Sequence, residues 1–428
     1  MPATNIHAWE SCSLQTLAGG LVAALLLAAP LASADPGDTL GLSWQGRGGA
    51  GAAAAGVKNF AAAYYNPANL GFAAGPGGSI SFLQVISELE PSKAGASEGG
   101  FIEAGVLLPL LAMDGVAPVW MGLAVLTPAT GFYEIDLYDD VEPAYPLFSS
   151  RERRLLLSAA AGTKLFDFLA LGAGFEMLPT VKTDVNLDLA DPEGHNELHV
   201  VVGYRLSPTA GLTLHPMDQL KIGLSYRGEN RTWLDLPVEV QAGGIHLEAL
   251  VNAQVYYVPH RVNAGVEWAF SHELAVEADL SWHHFTGFSH PAAEVSLLDN
   301  EGADTLGSTV SPVSFNDVFT PSVAVRYKPT FGEFTAGYRY FPSLVDDQTG
   351  ITNVLHSDHH TIATGGRLTL AEGEGRPARF LLAYSAFVDY MPKTRVFKEE
   401  ILVGNPGYPS LVYGGARYGF SLGLEVEY

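Results

Sequence analysis

Residues 419–428 read GFSLGLEVEY. Phe420, Leu422, Leu424, Val426 and Tyr428 fall on one side of an extended chain. Gly419, Ser421, Gly423, Glu425 and Glu427 fall on the other. Successive side chains of a strand point to opposite faces, so this run has one oily face and one small or charged face. The same period recurs upstream. Leu220, Ile222, Leu224 and Tyr226 alternate with Lys221, Gly223, Ser225 and Arg227. Val262, Ala264, Val266 and Trp268 alternate with Asn263, Gly265 and Glu267. Leu274 to Trp282 and Phe334 to Tyr340 repeat the pattern.

A soluble β-sandwich alternates too, with its apolar face inward. Three features favour a membrane barrel. Apolar faces end in Trp, Tyr or Phe, as an interfacial girdle does. The opposite faces carry full charges beside glycine, which suits a polar lumen. The chain also ends on an aromatic residue within a strand. After Ala34 no apolar run approaches the length of a membrane helix; Gly105–Met113 is among the longest, and Pro109 interrupts it. A membrane fate then requires a closed barrel, the other structure that satisfies every backbone group in lipid.

The chain has 428 residues, 47% hydrophobic and 16% charged, with 47 glycines and a net charge of -23. The acidity argues against nucleic-acid partners and against docking on anionic lipid. It suits solvated loops, or loops that hold divalent cations. The single cysteine, Cys12, precedes the apolar run 17–31, which Ala32-Ser33-Ala34 follows. That is a secretory leader pattern, expected to be cut after Ala34, although residues 1–16 lack Lys and Arg. Three segments are therefore expected: a leader at 1–34, a non-alternating segment at 35–76 and a barrel at 77–428. The pattern marks fifteen strand segments, among them 219–242 and 245–258. Single-chain bacterial barrels have even counts, so one segment is in excess. Long loops are expected at 129–149, 287–317, 346–356 and 392–414.

Residues 35–76 are rich in Gly and Ala but carry Phe60, Tyr64, Tyr65, Leu70 and Phe72, apolar mass suited to packing inside a barrel. A short helix is expected around 57–65. Pro67 restricts its own backbone and biases Asn66 away from helix, which sets a bend. The run GRGGAGAAAAGVKNFAAAYYNPANLGF (46–72) resembles the N-terminal hatch of the FadL/TodX family of outer-membrane transport proteins, with the Asn-Pro-Ala motif at Asn66, Pro67 and Ala68. Residues 258–268, 315–329 and 334–343 are similar to later family segments.

The resemblance implies an all-β transmembrane antiparallel barrel of about fourteen strands with a hatch in its lumen. It implies uptake of hydrophobic small molecules, such as long-chain fatty acids or aromatic hydrocarbons, gated by movement of the hatch and released partly through a lateral gap. The location implied is the bacterial outer membrane. Its lipid and lipopolysaccharide and the barrel assembly machinery are the implied surroundings of a monomer. A structural or secretion-partner barrel with a static plug, or a general porin, is the alternative.

Asn66, Pro67 and Ala68 are the hatch and gating candidates. Phe60, Tyr64 and Tyr65 are candidates to line an apolar pocket, or equally to form plug core. Arg227 and Arg339 are candidates to meet a carboxylate, as are Arg205, Arg326 and Arg367, unless they pair with lumen acids. His283, His284 and His290, and His356, His359 and His360 with Asp358, cluster near strand ends without metal-ligand spacing, so no metal or cofactor is expected. No nucleophile arrangement supports catalysis.

Overall fold

The computed structural model describes residues 36–91, 98–113, 116–131, 141–148, 153–188, 197–242, 245–288, 294–299, 302–306, 313–372, 378–400 and 404–428. The leader, its cut site and His290 lie outside these residues, as do parts of the acidic loops. Among them no helix is long and apolar enough to cross a membrane.

The chain crosses with strands. Fourteen make a closed antiparallel wall. In order these are β1 (Gly77–Glu90), β2 (Gly99–Met113), β3 (Val116–Pro128), β4 (Leu156–Phe166), β5 (Leu169–Asp188), β6 (Glu197–Met217) and β7 (Leu220–Arg227), then β10 (Arg261–Ala269), β11 (Leu274–His283), β14 (Val318–Tyr327), β15 (Gly332–Phe341), β16 (His359–Glu372), β17 (Arg379–Phe397) and β18 (Ser410–Glu427). β7 pairs with β10 and β11 with β14, skipping the strands between. β1 pairs with β18 from Gly77↔Glu427 to Glu90↔Gly414, which closes the ring.

The strands skipped are β8 (Asn230–Ala242), β9 (Ile245–Val258), β12 (Glu294–Asp299) and β13 (Gly302–Leu306). They form an annex: β8 pairs with β9, β9 with β12, β12 with β13, and β8 runs parallel to the end of β5. Here the strand expectations need correction. Segment 219–242 holds one wall strand and one annex strand. Segment 245–258 is the surplus strand, and part of the loop expected at 287–317 is the β12–β13 hairpin. An annex strand alternates with the same period as a wall strand, so sequence alone does not separate them.

The faces follow the alternation. Phe420, Leu422 and Leu424 are exposed on the outside, next to Ile80, Phe82, Ile102 and Val106 of the adjoining strands. An apolar surface covering successive strands of a closed barrel is what a bilayer stabilises. One end of the wall has tight turns, such as 167–168, 218–219 and 270–273. The other end carries the long loops and the annex.

Residues 36–73 fill the lumen. They form α1 (Pro36–Leu40), α2 (Ser43–Gly48), α3 (Ala62–Tyr65) and a 3-10 turn over Pro67–Phe72. Only the last turn of the helix expected at 57–65 is helical. Glycine on the inner wall lets this segment come close. A Cβ at Gly223 would sit 2.0 Å from the Ala54 carbonyl oxygen, and one at Gly172 would sit 2.3 Å from the Pro67 carbonyl carbon. Side chains at these two positions would expel the hatch.

Candidate functional site

The hatch is tied to the wall largely through its backbone. Asp279 Oδ2 accepts from the N–H groups of Ala53 and Ala54, both at 2.8 Å. Glu277 Oε1 accepts from Ala55 at 2.6 Å and Gly56 at 3.0 Å. Glu103 accepts from the Ser43 N–H at 3.0 Å and pairs with Arg47 at 2.6 Å. Buried carboxylates need such donors. Arg326, buried beside Glu267 and Glu277, supplies the countercharge.

Asn66 occupies a second junction. Its backbone is extended (φ -156°, ψ 102°), as a residue before proline prefers, and its Oδ1 accepts from the Ala68 N–H at 3.1 Å. Its Nδ2 donates to the Ala54 carbonyl at 2.6 Å and to Thr213 Oγ1 at 3.1 Å. Asn69 donates to the same carbonyl and accepts from Thr213 at 2.7 Å. The Asn-Pro-Ala bend thus joins two stretches of hatch to β6. Asn66 is fully buried, with Pro67 and Ala68 against the wall.

The other candidates separate. Tyr64 and Tyr65 are buried hatch core and meet edge to face at 5.0 Å. Phe60 packs in that core and also borders a cavity at the tight-turn end. The Arg227 guanidinium lies 3.7 Å over the Tyr64 ring, donates to the Tyr64 hydroxyl at 2.8 Å and pairs with Asp38 and Glu176. It therefore faces the hatch. Arg205 lies opposite buried Leu178 on the inner face of β6, at the long-loop end, where it is exposed and donates to the Arg231 carbonyl instead of meeting the hatch. Arg367 pairs with Glu333, Glu425 and Glu427.

Arg339 borders a chamber on the long-loop side of the hatch. Asp38 and Thr39 border it from the hatch, where Arg339 donates to the Asp38 carbonyl at 2.8 Å. Phe148, Phe285 and Phe341 supply aromatic walls, with His283, His359 and Asp389 among them. The free volume is about 30 Å³, room for little more than water. A larger guest requires the hatch or the loops to move. Burial raises the Asp38 carboxyl, but the adjacent Arg261 and Arg227 hold it well below the usual carboxylate range.

Beside the chamber two histidines sit nitrogen to nitrogen. The Leu344 N–H donates to His356 Nδ1 at 3.1 Å, so the His356 proton is on Nε2. That Nε2–H faces His359 Nε2 at 3.2 Å, and His359 Nδ1 faces Asp389 at 3.6 Å. His356 is then held as the Nε2–H tautomer by its two neighbours. Burial, then the neighbouring His359, pushes His356 well below the ordinary histidine value. No group of three metal-ligating side chains occurs among the described residues. The chamber thus joins three aromatic rings to the Arg339 guanidinium and the Asp38 and Asp389 carboxylates.

The whole arrangement has counterparts among solved barrels. A FadL homologue of Pseudomonas aeruginosa superimposes with a TM-score of 0.56 at 13% identity, over 90% of this chain and 98% of its own. The toluene transporter TbuX of Ralstonia pickettii gives 0.56 at 14% identity, over 91% and 99%. The P. putida toluene transporter TodX gives 0.55 at 13% identity, over 90% and 97%. The chain has the FadL/TodX fold. No family model and no curated protein sequence matches it. At these identities the FadL/TodX likeness is one of architecture, carried by the wall and the filled lumen.

The residues missed in sequence are those that hold the parts together. Glu277 and Asp279 were legible only as charges on the polar face of one alternating segment, and Glu103 was not singled out. Phe148, Phe285 and Phe341 come from separate connections and one strand end, with no local pattern joining them.

Proposed function

We propose that this protein carries hydrophobic small molecules across the outer membrane, with the aromatic chamber above the hatch as the binding site on the outer side. The chamber is the observation that carries this reading: Phe148, Phe285 and Phe341 converge on the hatch start within a closed barrel. Apolar walls with few polar anchors suit an apolar guest. Arg339 suits the head of a fatty acid, and the three phenylalanine rings suit an aromatic guest. The likeness to toluene transporters supports the same class of cargo. Short turns face the periplasm in barrels of this kind, which puts the chamber on the cell exterior.

With so little free space, cargo advances when the hatch shifts, and Asn66–Ala68 is the bend about which it does so. A lateral exit has a candidate beside Phe341. The β14–β15 ladder stops at Ser322↔Arg339, with Pro321 next on β14 and Pro342 just past β15, both lacking an N–H.

A second reading is a static plug, favoured by the Asp279, Glu277 and Glu103 ties. Uptake of labelled oleate and toluene by cells with and without the protein decides for transport. Faster entry of either supports it, and equal entry of both rejects it.

A further inference from the structure

The loop 342–358 packs over the aromatic chamber on its long-loop side. It leaves the chamber wall at Phe341 and returns to it at His359. Between them Leu344, Val345, Val354 and Leu355 pack into one apolar core with Phe148 and Phe285, two of the chamber's own rings. This core is separate from that of the hatch. The free volume beneath, about 30 Å³, holds no organic guest while the loop stays down.

One side chain ties the tip of that loop. Lys398, just past β17, donates to the carbonyl oxygens of Gln348 at 2.5 Å, Gly350 at 2.9 Å and Thr352 at 2.8 Å. Its side chain is buried. Among the described residues it has no carboxylate partner: Glu399 beside it bonds Thr349, and Asp346 and Asp347 are exposed. Buried charges are ordinarily paired. Here three neutral carbonyls, at alternate residues of one short stretch, use all three N–H groups of the ammonium. Glu399 and Asn405 reach only Thr349 of the same stretch. An ammonium on a flexible stem is strongly hydrated, so water competes well for it. Such a tie closes firmly without being permanent.

We propose that Lys398 is a latch, whose bonds to residues 348–352 hold the loop down over the chamber and whose release admits the guest from outside. When the ammonium swings to water, the three carbonyls lose their donor and the tip of the loop comes free. Leu344, Val345, Val354 and Leu355 can then part from Phe148 and Phe285. The inference rests on the transport reading and adds to it an outer gate distinct from the hatch bend.

A thiol at this position supplies the test, since Cys12 lies in the expected leader. Lys398→Cys cells are treated with 2-bromoethylamine, which restores an ammonium at the reach of lysine. A second portion receives (2-bromoethyl)trimethylammonium, which gives the charge without an N–H. Labelled toluene should enter Lys398→Met and untreated Lys398→Cys cells about fivefold faster than wild type, the effect of one lost hydrogen bond on an opening equilibrium. Aminoethylation should return the wild-type rate, and the trimethylammonium group should not. A clamp that only shapes the site would slow entry when lost. Unchanged or slower entry in Lys398→Met, or equal effects of the two reagents, overturns the proposal. A variant that fails to fold loses its heat-modifiable gel mobility, and Lys398→Gln then replaces it. Equal entry into wild-type cells and cells without the protein would reject transport itself. Proteinase K cutting within 346–352, fast in Lys398→Cys and slowed only by aminoethylation, would then still uphold the latch, and cutting indifferent to the reagent would overturn it.

Discussion

At the residue scale, a few buried polar groups decide how firmly the hatch sits. Asn66→Ala removes three donated bonds and the bond that forms the turn, and leaves Thr213 Oγ1 without that donor. Losing partners to buried polar groups costs about 1–3 kcal/mol. Amide exchange at 53–56 and 66–69 should accelerate accordingly, and unchanged exchange would show that Asn66 does not anchor the hatch. His356 makes a pH prediction. Its folded value lies below its unfolded one, so the unfolded chain takes up the proton first as pH falls. The stability it lends is present above about pH 6.5, the unperturbed value, and declines below it. Protease cutting within 343–358 should therefore rise between pH 7.5 and 5, and His356→Gln should flatten that rise. Of these groups, Asn66 was readable because proline marks its neighbour. His356 was readable only as one of a histidine cluster, since its bonds to the Leu344 N–H and to His359 are made by the fold.

At the element scale, the wall was legible and the annex was not. Alternation reports that a strand has two unlike faces, and β7 and β8 both do. Only pairing shows that β10 follows β7 around the ring while β8 and β9 leave it. The hatch was legible as filler, through its small residues and aromatics, but its attachments join residues far apart in the chain, Ala53 and Asp279 by more than 200 positions. Movement of this element can be tested by locking it. A Cβ built on Gly49 lies 3.5 Å from the Ala324 Cβ, within disulfide reach. With Cys12 in the expected leader, Gly49→Cys with Ala324→Cys should give a single cross-link from hatch to β14. On the gating reading, the oxidised protein should lose most uptake and regain it on reduction. Undiminished uptake in the oxidised form would favour the static plug.

At the scale of the whole molecule, the barrel is defined by contrast between an oily outside and a charged, filled inside. Leu224 is nearly half exposed on the outer face of β7. Leu224→Arg should cost roughly 2–4 kcal/mol if it lies near the bilayer midplane. Refolding into lipid across a urea series would measure this, and a wild-type midpoint would mean the faces are reversed.

The inside bears on how such a molecule is put together. Arg47 reaches Glu103 of β2, Ser385 of β17 and Ser421 of β18. It spans the seam where the first and last strands meet, and Ser421 belongs to the closing stretch GFSLGLEVEY. Once that seam is zipped, its ladders hold β18 against β1 over the whole length of the wall. A hatch seated before the seam closes would let Arg47 gather β2, β17 and β18, serving as the former around which the cylinder is wound. A chain starting at 77 should close late or incompletely, and adding residues 35–76 afterwards as a separate peptide should not rescue it.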